Sequence, residues 1–371
     1  MLKDAALLQL QLTSAALAEG LMLKDASPYN VQWRGSQPVF IDIGSFERAR
    51  PGEPWVAYRQ FCMLYLYPLL LEVHRGVKFQ PWLRGNVDGV SPVDFRRLFT
   101  YRDALRRGML RHVFLHASLE RRHAGRGSDV RQELDAAGFD ERLVESNLVQ
   151  MTRLVSELCP RRHDSAWQDY DRTCTYTDDE ARAKEEFVRR AVGAGKRRLV
   201  WDLGCNEGRY SFIASEHSDF TVAIDSDRAV IDALYTAVRR DENRSILPLV
   251  VDLADPSPSL GWRNRERMTL AERGLPDLAL CLALVHHLSI GSNIPLREFV
   301  DWLKSLDCEV VVEFPDRADP MVQRLLGAKR SDAHPDYDGD TFDSLLRARF
   351  DVADMLELSS GTRTLYFARP R

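Results

Sequence analysis

The second half of the chain is constrained most by a rhythm: short apolar runs, each about the length of a strand, alternate with segments of helical period. After the charged helical segment "DDEARAKEEFVRRAV" come "RRLVWDLG", "GRYSFIASEH", "FTVAIDSD", "RAVIDALYTAVRR" and "ILPLVVDLADP". "LPDLALCLAL", "LREFVDWLKSL", "CEVVVEFP" and "MVQRLLGA" continue the alternation, and "FDVADMLELS" and "RTLYFARP" close it. Apolar runs bounded by turn signals and separated by helices predict a parallel, doubly wound sheet buried on both faces. The last two runs suit an antiparallel hairpin at its edge. We expect this Rossmann-like α/β domain over residues 166–371.

Residues 1–165 lack that rhythm. Phe95, Leu98, Phe99, Leu105, Met109 and Val113 fall at helical spacing, which predicts a mainly helical N-terminal domain. One β-hairpin is expected near residues 30–45, and "RRHAGRGSDV" (121–130) is expected to be an exposed loop. At 371 residues, two domains match the limit on the size of a single core.

Composition removes several function classes. The chain is 44% hydrophobic and 29% charged with a formal net charge of −4, an ordinary globular balance without a global nucleic-acid footprint. The most apolar run, Phe61 to Val73, is too short to span a bilayer and contains Pro68. The N-terminal leucine pattern carries acids where a signal peptide needs a basic region, so a cytoplasmic location is expected, with no membrane partner. The cysteines Cys62, Cys159, Cys174, Cys205, Cys281 and Cys308 are scattered without a C-x-x-C pair. They read as reduced, mostly buried thiols. No metal site is expected, because "HPDYDGD" (334–340) places its glycine wrongly for a calcium loop.

The glycine turn "LVWDLGCNEGRYS" (199–211) joins the first strand of the alternation to its helix. Glycine there lets backbone come within contact distance of a ligand, and asparagine tolerates left-handed geometry better than most residues. A phosphate loop needs G-K-[ST], which is missing. A dinucleotide fingerprint needs glycine where Asn206 and Arg209 stand. The remaining pattern, D-x-G-x-x-x-G from Asp202 to Gly208, resembles the class I S-adenosylmethionine-dependent methyltransferases. Asp225 ends the second strand, as does the acid that binds the ribose in that family, and a carboxylate suits two hydroxyl donors. Asp252 ends the third strand near the place of the adenine amine, with Leu253 beside the ring.

Three strand ends in order favour ligand binding over isolated turns and caps, while Asp227 reads as the cap of the following helix. The resemblance implies S-adenosyl-L-methionine as cofactor, held by Gly204, Cys205, Asn206, Gly208, Asp225, Ser226, Asp252, Leu253 and Leu282. Asp202 would orient the turn or approach the methionine amine, and Tyr176 would close over the cofactor or simply pack. His286 and His287, after the fourth strand, are the candidates for a base. Methyl transfer needs chiefly in-line placement, but a near-neutral imidazole can take a proton from a hydroxyl or amine. Neighbouring histidines on a regular helix would point apart, which disfavours a metal between them.

A narrower likeness, carried by "LALVHHLSIGSNIPL", "HPDYDGDTF", "TRTLYFARP" and the N-terminal "LKDASPYNVQWRGSQPVFIDIGSFE", is to the nodulation-type, NoeA-like group of bacterial methyltransferases. "EFPDRADP" departs from that group's usual "EFVPK"-like run, so Glu313 and Asp316 receive no role from it.

Two features point elsewhere. Asp25, Asn30 and Asp42 have the spacing of a kinase catalytic loop followed by its metal-binding aspartate. The two dozen residues before them leave no room for the Gly-rich loop, strand lysine and helix glutamate, so a polar, substrate-facing hairpin is expected. Arg96 to Arg126 holds nine arginines against two acids. It reads as a solvated helical face, with phosphate, RNA or an acidic carrier protein as alternative partners. The sequence therefore predicts a methyltransferase with a small-molecule acceptor, O- or N-methylated, and a helical domain that serves as acceptor platform or lid. An RNA methyltransferase, a non-catalytic cofactor-binding partner and a kinase-like phosphotransferase are the alternatives.

Overall fold

The computed structural model describes residues 1–50, 53–123, 141–159, 176–330 and 333–371. The chain forms two compact units: residues 1–33, 38–162 and 260–267 make one, and 34–37, 163–259 and 268–371 the other. The expected loop at 121–130 lies mostly outside the described residues, as do Cys174 and the expected boundary at 165/166.

The first unit is mainly helical. Helix α1 (Leu2–Ala18) leads to strand β1 (Leu21–Leu23), which pairs antiparallel with β4 (Phe46–Arg48). Between them, β2 (Val31–Arg34) and β3 (Gln37–Phe40) form the expected hairpin. The β1–β4 pair was not legible in the sequence, since three-residue strands show no periodicity. Helices α2 (Tyr58–Phe61) and α3 (Tyr67–Arg75) are joined through a π-helical stretch, Cys62–Leu66. Further on come α4 (Gln80–Gly85), α5 (Pro92–Arg97), a second π stretch (Leu110–Leu115), α6 (His116–His123) and α7 (Glu141–Glu157). Leu10, Phe61, Tyr65, Leu70, Phe95 and Val113 are fully buried in the core of this unit. Phe99 belongs to that core and Phe114 packs against it, but Tyr101 is 83% exposed, so only two of the three aromatics in the arginine stretch are core residues.

The second unit is the doubly wound sheet the alternation predicts. Helix α8 (Asp178–Gly193) precedes β5 (Arg197–Leu203), α9 (Arg209–Ser215), β6 (Ser218–Asp225), α10 (Arg228–Arg240) and β7 (Ile246–Val250). After them come β8 (Leu278–Cys281), α11 (Leu296–Ser305), β9 (Glu309–Pro315), α12 (Pro320–Gly327), α13 (Gly339–Arg347), β10 (Phe350–Glu357) and β11 (Arg363–Pro370). The strands are ordered β10-β11-β9-β8-β5-β6-β7. β5 runs parallel to β6 and β8, and so do the pairs β6–β7 and β8–β9. β11 is antiparallel to both neighbours, β9 and β10.

Alternate residues of the central strands feed two cores. Trp201, Leu203, Ala279, Cys281, Val310 and Val312 pack on one face, and Val200, Leu278, Leu280 and Val311 on the other. That is why these strands read as continuous apolar runs. The order reverses at β5, whose neighbours β6 and β8 lead to opposite sides of the sheet, and such a switch point opens a crevice beyond the strand C-termini.

Helix α13 and its start explain "HPDYDGD". Asp338 caps the helix, accepting from Thr341 N at 2.9 Å, and Gly339 N donates to Asp316 Oδ2 at 3.1 Å. Cys62, Cys205, Cys281 and Cys308 are buried and free, and Cys159 is free and exposed. No helix among the described residues is long and apolar enough to cross a membrane.

Candidate functional site

β5 ends in Asp202 and Leu203, and the chain then turns through Gly204, Cys205, Asn206 and Gly208 into α9. Gly204 has φ +78°, Asn206 +47° and Gly208 +87°. Gly204 N and Cys205 N both donate to Ile224 O, at 2.8 and 2.9 Å, which fastens the turn to β6. The two glycines serve different ends. A Cβ at Gly208 would stand 2.4 Å from Leu234 Cδ1, so this glycine admits a helix–helix contact. Gly204 lines the crevice, and a Cβ there would stand 3.2 Å from Leu284 Cδ1.

The crevice is lined by the turn (Gly204, Asn206), the end of β6 (Ile224, Asp225, Ser226) and the segment after β7 (Val251, Asp252, Leu253). Its remaining wall follows β8: Leu282, Ala283, Leu284, His287, Leu288 and Ser292. Gly204, Asn206, Asp225, Ser226, Asp252, Leu253, Leu282 and His287 are thus drawn together from the ends of four strands. Tyr176, Asp202, Cys205, Gly208 and His286 are not among the lining residues. Cys205 and Gly208 shape the turn from behind. Asp202 is buried and accepts from Ser211 Oγ at 2.5 Å, so it anchors α9 to β5. Of the two roles expected for Asp202, orienting the turn is the one its surroundings match.

Asp225 is held by backbone: Asn206 N donates to its Oδ2 at 3.0 Å and Asp227 N to its Oδ1 at 2.9 Å. Burial raises its pKa, with the Asp227 and Asn206 amides opposing. Asp227 caps α10 by accepting from Ala229 N at 2.7 Å. Asp252 is exposed and accepts from Ala254 N at 2.9 Å. Asn206 Oδ1 is buried without a partner among the described residues. Ala283, at φ +51°, is a lining residue that no local sequence signal marks.

His286 and His287 do not point apart as a regular helix would make them. A π-helical turn, His287–Gly291, begins there, and the ring centroids lie 4.1 Å from each other. His287 lines the crevice; His286 is fully buried, with neither ring nitrogen partnered among the described residues. No group of three metal-ligating side chains occurs among the described residues.

Burial, then Arg363, lowers the His287 pKa to about 4; burial, His287, Arg363 and Lys184 lower that of His286. The folded unit therefore keeps both rings neutral where the unfolded chain protonates them, from about pH 6.5 downward. The unfolded state binds more protons in that window, so stability falls as pH drops from about 6.5 towards 4. Asp202, raised to about 6 by burial, and Asp225 and Asp232, also raised by burial, oppose this, while Glu180, Asp277 and Glu313, held below their ordinary values, act with the histidines. Unfolding midpoints measured from pH 7 to 4.5 are expected to decline, and a midpoint that climbs on acidification would contradict the burial of the rings.

Beside His286 lies a buried ionic network that the sequence reading missed. Lys184 Nζ is 2.7 Å from Glu313 Oε2, Arg363 Nη1 is 3.2 Å from Glu313 Oε1, and Arg363 Nε is 2.6 Å from Asp319 Oδ2. The Tyr176 hydroxyl donates to Glu313 and accepts from Arg363 and from Lys184, the last at 3.0 Å. Burial alone would raise the Glu313 pKa; Lys184 and Arg363 overrule it and hold the carboxyl below its ordinary value. Glu313, given no role by the sequence, and Asp319 are thus the anionic half of this network. Tyr176 is tied into it, which matches the packing reading. The sequence signal was a charge closing an apolar run in "VVVEFP", but its partners are distant in the chain.

Five of the nine arginines of the 96–126 stretch have side-chain partners within the first unit, and Arg126 lies outside the described residues. The Arg96 guanidinium lies 3.9 Å from the centroid of Phe114, Arg97 pairs with Asp94, and Arg106 pairs with Asp103. Arg107 pairs with Glu157, and Arg111 donates to Gln150 Oε1 at 2.7 Å.

No protein-family profile matches the chain. It is 35% identical to nodulation protein NoeA of Rhizobium meliloti (strain 1021) over 371 residues, 98% of this chain and 77% of that protein. The chain belongs to the NoeA family. Solved structures similar to this NoeA-family chain include the N-methyltransferase NodS from Bradyrhizobium japonicum WM9 in complex with S-adenosyl-L-homocysteine. That likeness is 15% identical with a TM-score of 0.40 and covers 56% of this chain and 100% of that one. Magnesium protoporphyrin IX methyltransferase (ChlM) from Synechocystis PCC 6803 with bound SAM is 16% identical, with a TM-score of 0.36, over 56% of this chain and 86% of that one. By its own strand order, the second unit of this NoeA-family member has the class I methyltransferase fold.

Proposed function

We propose that the chain is an S-adenosyl-L-methionine-dependent methyltransferase acting on a small molecule in the cytoplasm. One observation carries this reading. At the switch point, two backbone amides fix a carboxylate, Asp225, against a left-handed turn, with Asp252 and apolar Leu253 and Leu282 lining the same crevice. A carboxylate so held has lone pairs left for two adjacent hydroxyls, as a ribose presents. Asn206 Oδ1, buried without a partner among the described residues, supplies a further acceptor beside it. Gly204 keeps the turn free of a side chain where the ligand must approach.

When bound, the cofactor supplies a sulfonium methyl and a neutral thioether leaving group. The chain's task is to place the acceptor in line and to receive its proton. His287 lines the crevice with its ring neutral, so it can accept a proton from a hydroxyl or amine as the new bond to the methyl carbon forms. His286, off the crevice, positions its neighbour. The small-molecule reading is preferred to the RNA one because five of the nine arginines, at 96, 97, 106, 107 and 111, have side-chain partners in the chain.

The test is a calorimetric titration with S-adenosyl-L-homocysteine, followed by incubation with isotope-labelled S-adenosyl-L-methionine and a small-molecule extract. Saturable binding and a labelled small product are expected. Absence of binding sinks the reading, and binding without transfer to any acceptor favours a non-catalytic partner.

A further inference from the structure

Residues 96–123 of the first unit carry a pattern that the crevice does not use. Leu110, Leu115 and Leu119 are 55, 52 and 51% exposed, although leucine is among the residues most often buried. Their spacing of five and then four places them in one row. The stretch Leu110–Leu115 is π-helical, so its hydrogen bonds close five residues apart and Leu115 comes into line with Leu110. From His116 the helix is α, where a residue four positions on shares the face. Met109, Val113 and Ala117 occupy the opposite face and are fully buried.

A second projection stands beside this row. In the 3₁₀ turn Tyr101–Leu105, Tyr101 and Leu105 are 83 and 92% exposed. The Tyr101 ring lies 6.2 Å from that of Phe114, the chain neighbour of Leu115, and the Arg96 guanidinium lies 4.8 Å from the Tyr101 centroid. Large apolar side chains that gather on a surface mark a contact site.

Charge says what kind of contact this is. Asp103 is paired with Arg75 and Arg106, and Glu120 with Arg59, so both acids between 96 and 123 are neutralised. Arg102 and Arg122 are exposed and have no partner among the described residues. Arg111 donates to the neutral Gln150 and Arg121 to the backbone of Ala117, which leaves their charges uncompensated. Arg102 lies between Tyr101 and Leu105 in the chain, and Arg122 follows Leu119 at the spacing of neighbours on one helix face. The surface therefore offers apolar groups and free cations together.

We propose that this surface seats the chain on an anionic lipid bilayer, with the leucines and Tyr101 entering the headgroup boundary while the arginines meet lipid phosphates. A fluid interface accepts side chains that project singly, as Leu105 does, where a folded protein partner needs a matching hollow. RNA would meet the arginines but leave the leucines in water. Arginine stems reach from an apolar bed to a charged headgroup, and tyrosine favours the same boundary. Contact of this kind needs no spanning helix, so the expectation of no membrane partner, drawn from spanning and leader patterns, does not bear on it.

The full-length chain is sedimented with vesicles of phosphatidylcholine, alone or mixed with phosphatidylglycerol. Saturable cosedimentation with the mixed vesicles is expected, weak with phosphatidylcholine alone and falling as salt is raised. Leu110→Ser combined with Leu115→Ser, and Arg102→Glu combined with Arg122→Glu, should each weaken binding about tenfold or more. All four positions are exposed, so unfolding midpoints should stay at the wild-type value. Vesicle binding does not depend on the methyl-transfer reading, which titration with S-adenosyl-L-homocysteine tests separately. No cosedimentation, or undiminished binding in either double variant, would overturn the proposal. A dimer dissociated by the leucine substitutions, or capture of a single-stranded RNA oligonucleotide, in place of vesicle binding, would assign the surface elsewhere and overturn it too.

Discussion

Arg363→Ala is expected to lower the stability of the second unit by about 3–5 kcal/mol, the usual cost of removing one partner from a buried ion pair. Arg363 is 3% exposed, and it faces Glu313 and Asp319, both fully buried. Without the guanidinium, Asp319 loses this cation and Glu313 keeps Lys184 and the Tyr176 hydroxyl. Either a carboxylate stays charged in an apolar interior or it takes up a proton, and both routes cost the folded state. Arg363→Met restores the bulk of the stem but not the charge, so most of the loss should persist. Urea unfolding followed by near-ultraviolet circular dichroism checks this, as a shift of the transition to which Trp201 and Phe314 of the second unit's core contribute alongside Trp55 and Tyr65 of the first. A loss under about 1 kcal/mol, the level of a surface pair, would mean the network is open to water.

Asp225→Ala is the second large effect. Two hydrogen bonds from ribose hydroxyls to a fixed carboxylate, each worth about 1.5 kcal/mol or more because the acceptor is charged, amount to roughly 100-fold in affinity for S-adenosyl-L-methionine. The substitution also frees Asn206 N and Asp227 N, which loosens the turn and adds to the loss. Asp225→Asn keeps one carbonyl acceptor and should fall between. Calorimetric titration of the three proteins orders them, and wild-type affinity in Asp225→Ala would remove the ribose from this position.

Legibility differed between the halves for physical reasons. In the second unit each strand is buried on both faces and each helix on one, so periodicity alone gave the elements. The strand ends then gave Asp225 and Asp252, because a switch point collects what stands there. The ionic network was hidden because Tyr176 and Arg363 lie 187 positions apart, and no local pattern encodes a pairing of that reach. Which histidine faces the crevice was equally hidden, since the π-helical turn after His286 sets it. In the first unit, helices interrupted by π stretches blur their own period, and β1 and β4 are too short to have one.

The place of β11 bears on how the chain can be made. Every other strand of the sheet precedes β11 in sequence, yet β11 lies inside the sheet, between β9 and β10. During synthesis from the N-terminus, β10 therefore emerges with no partner to lie against, and β9 is left with an open edge that invites wrong pairing. Arg363, which neutralises Glu313 and Asp319, arrives on the same strand. Until β11 leaves the ribosome, the nascent sheet carries an exposed edge, Asp319 lacks Arg363 and Glu313 has Lys184 without it, and this is the interval in which a chaperone would matter most to this protein.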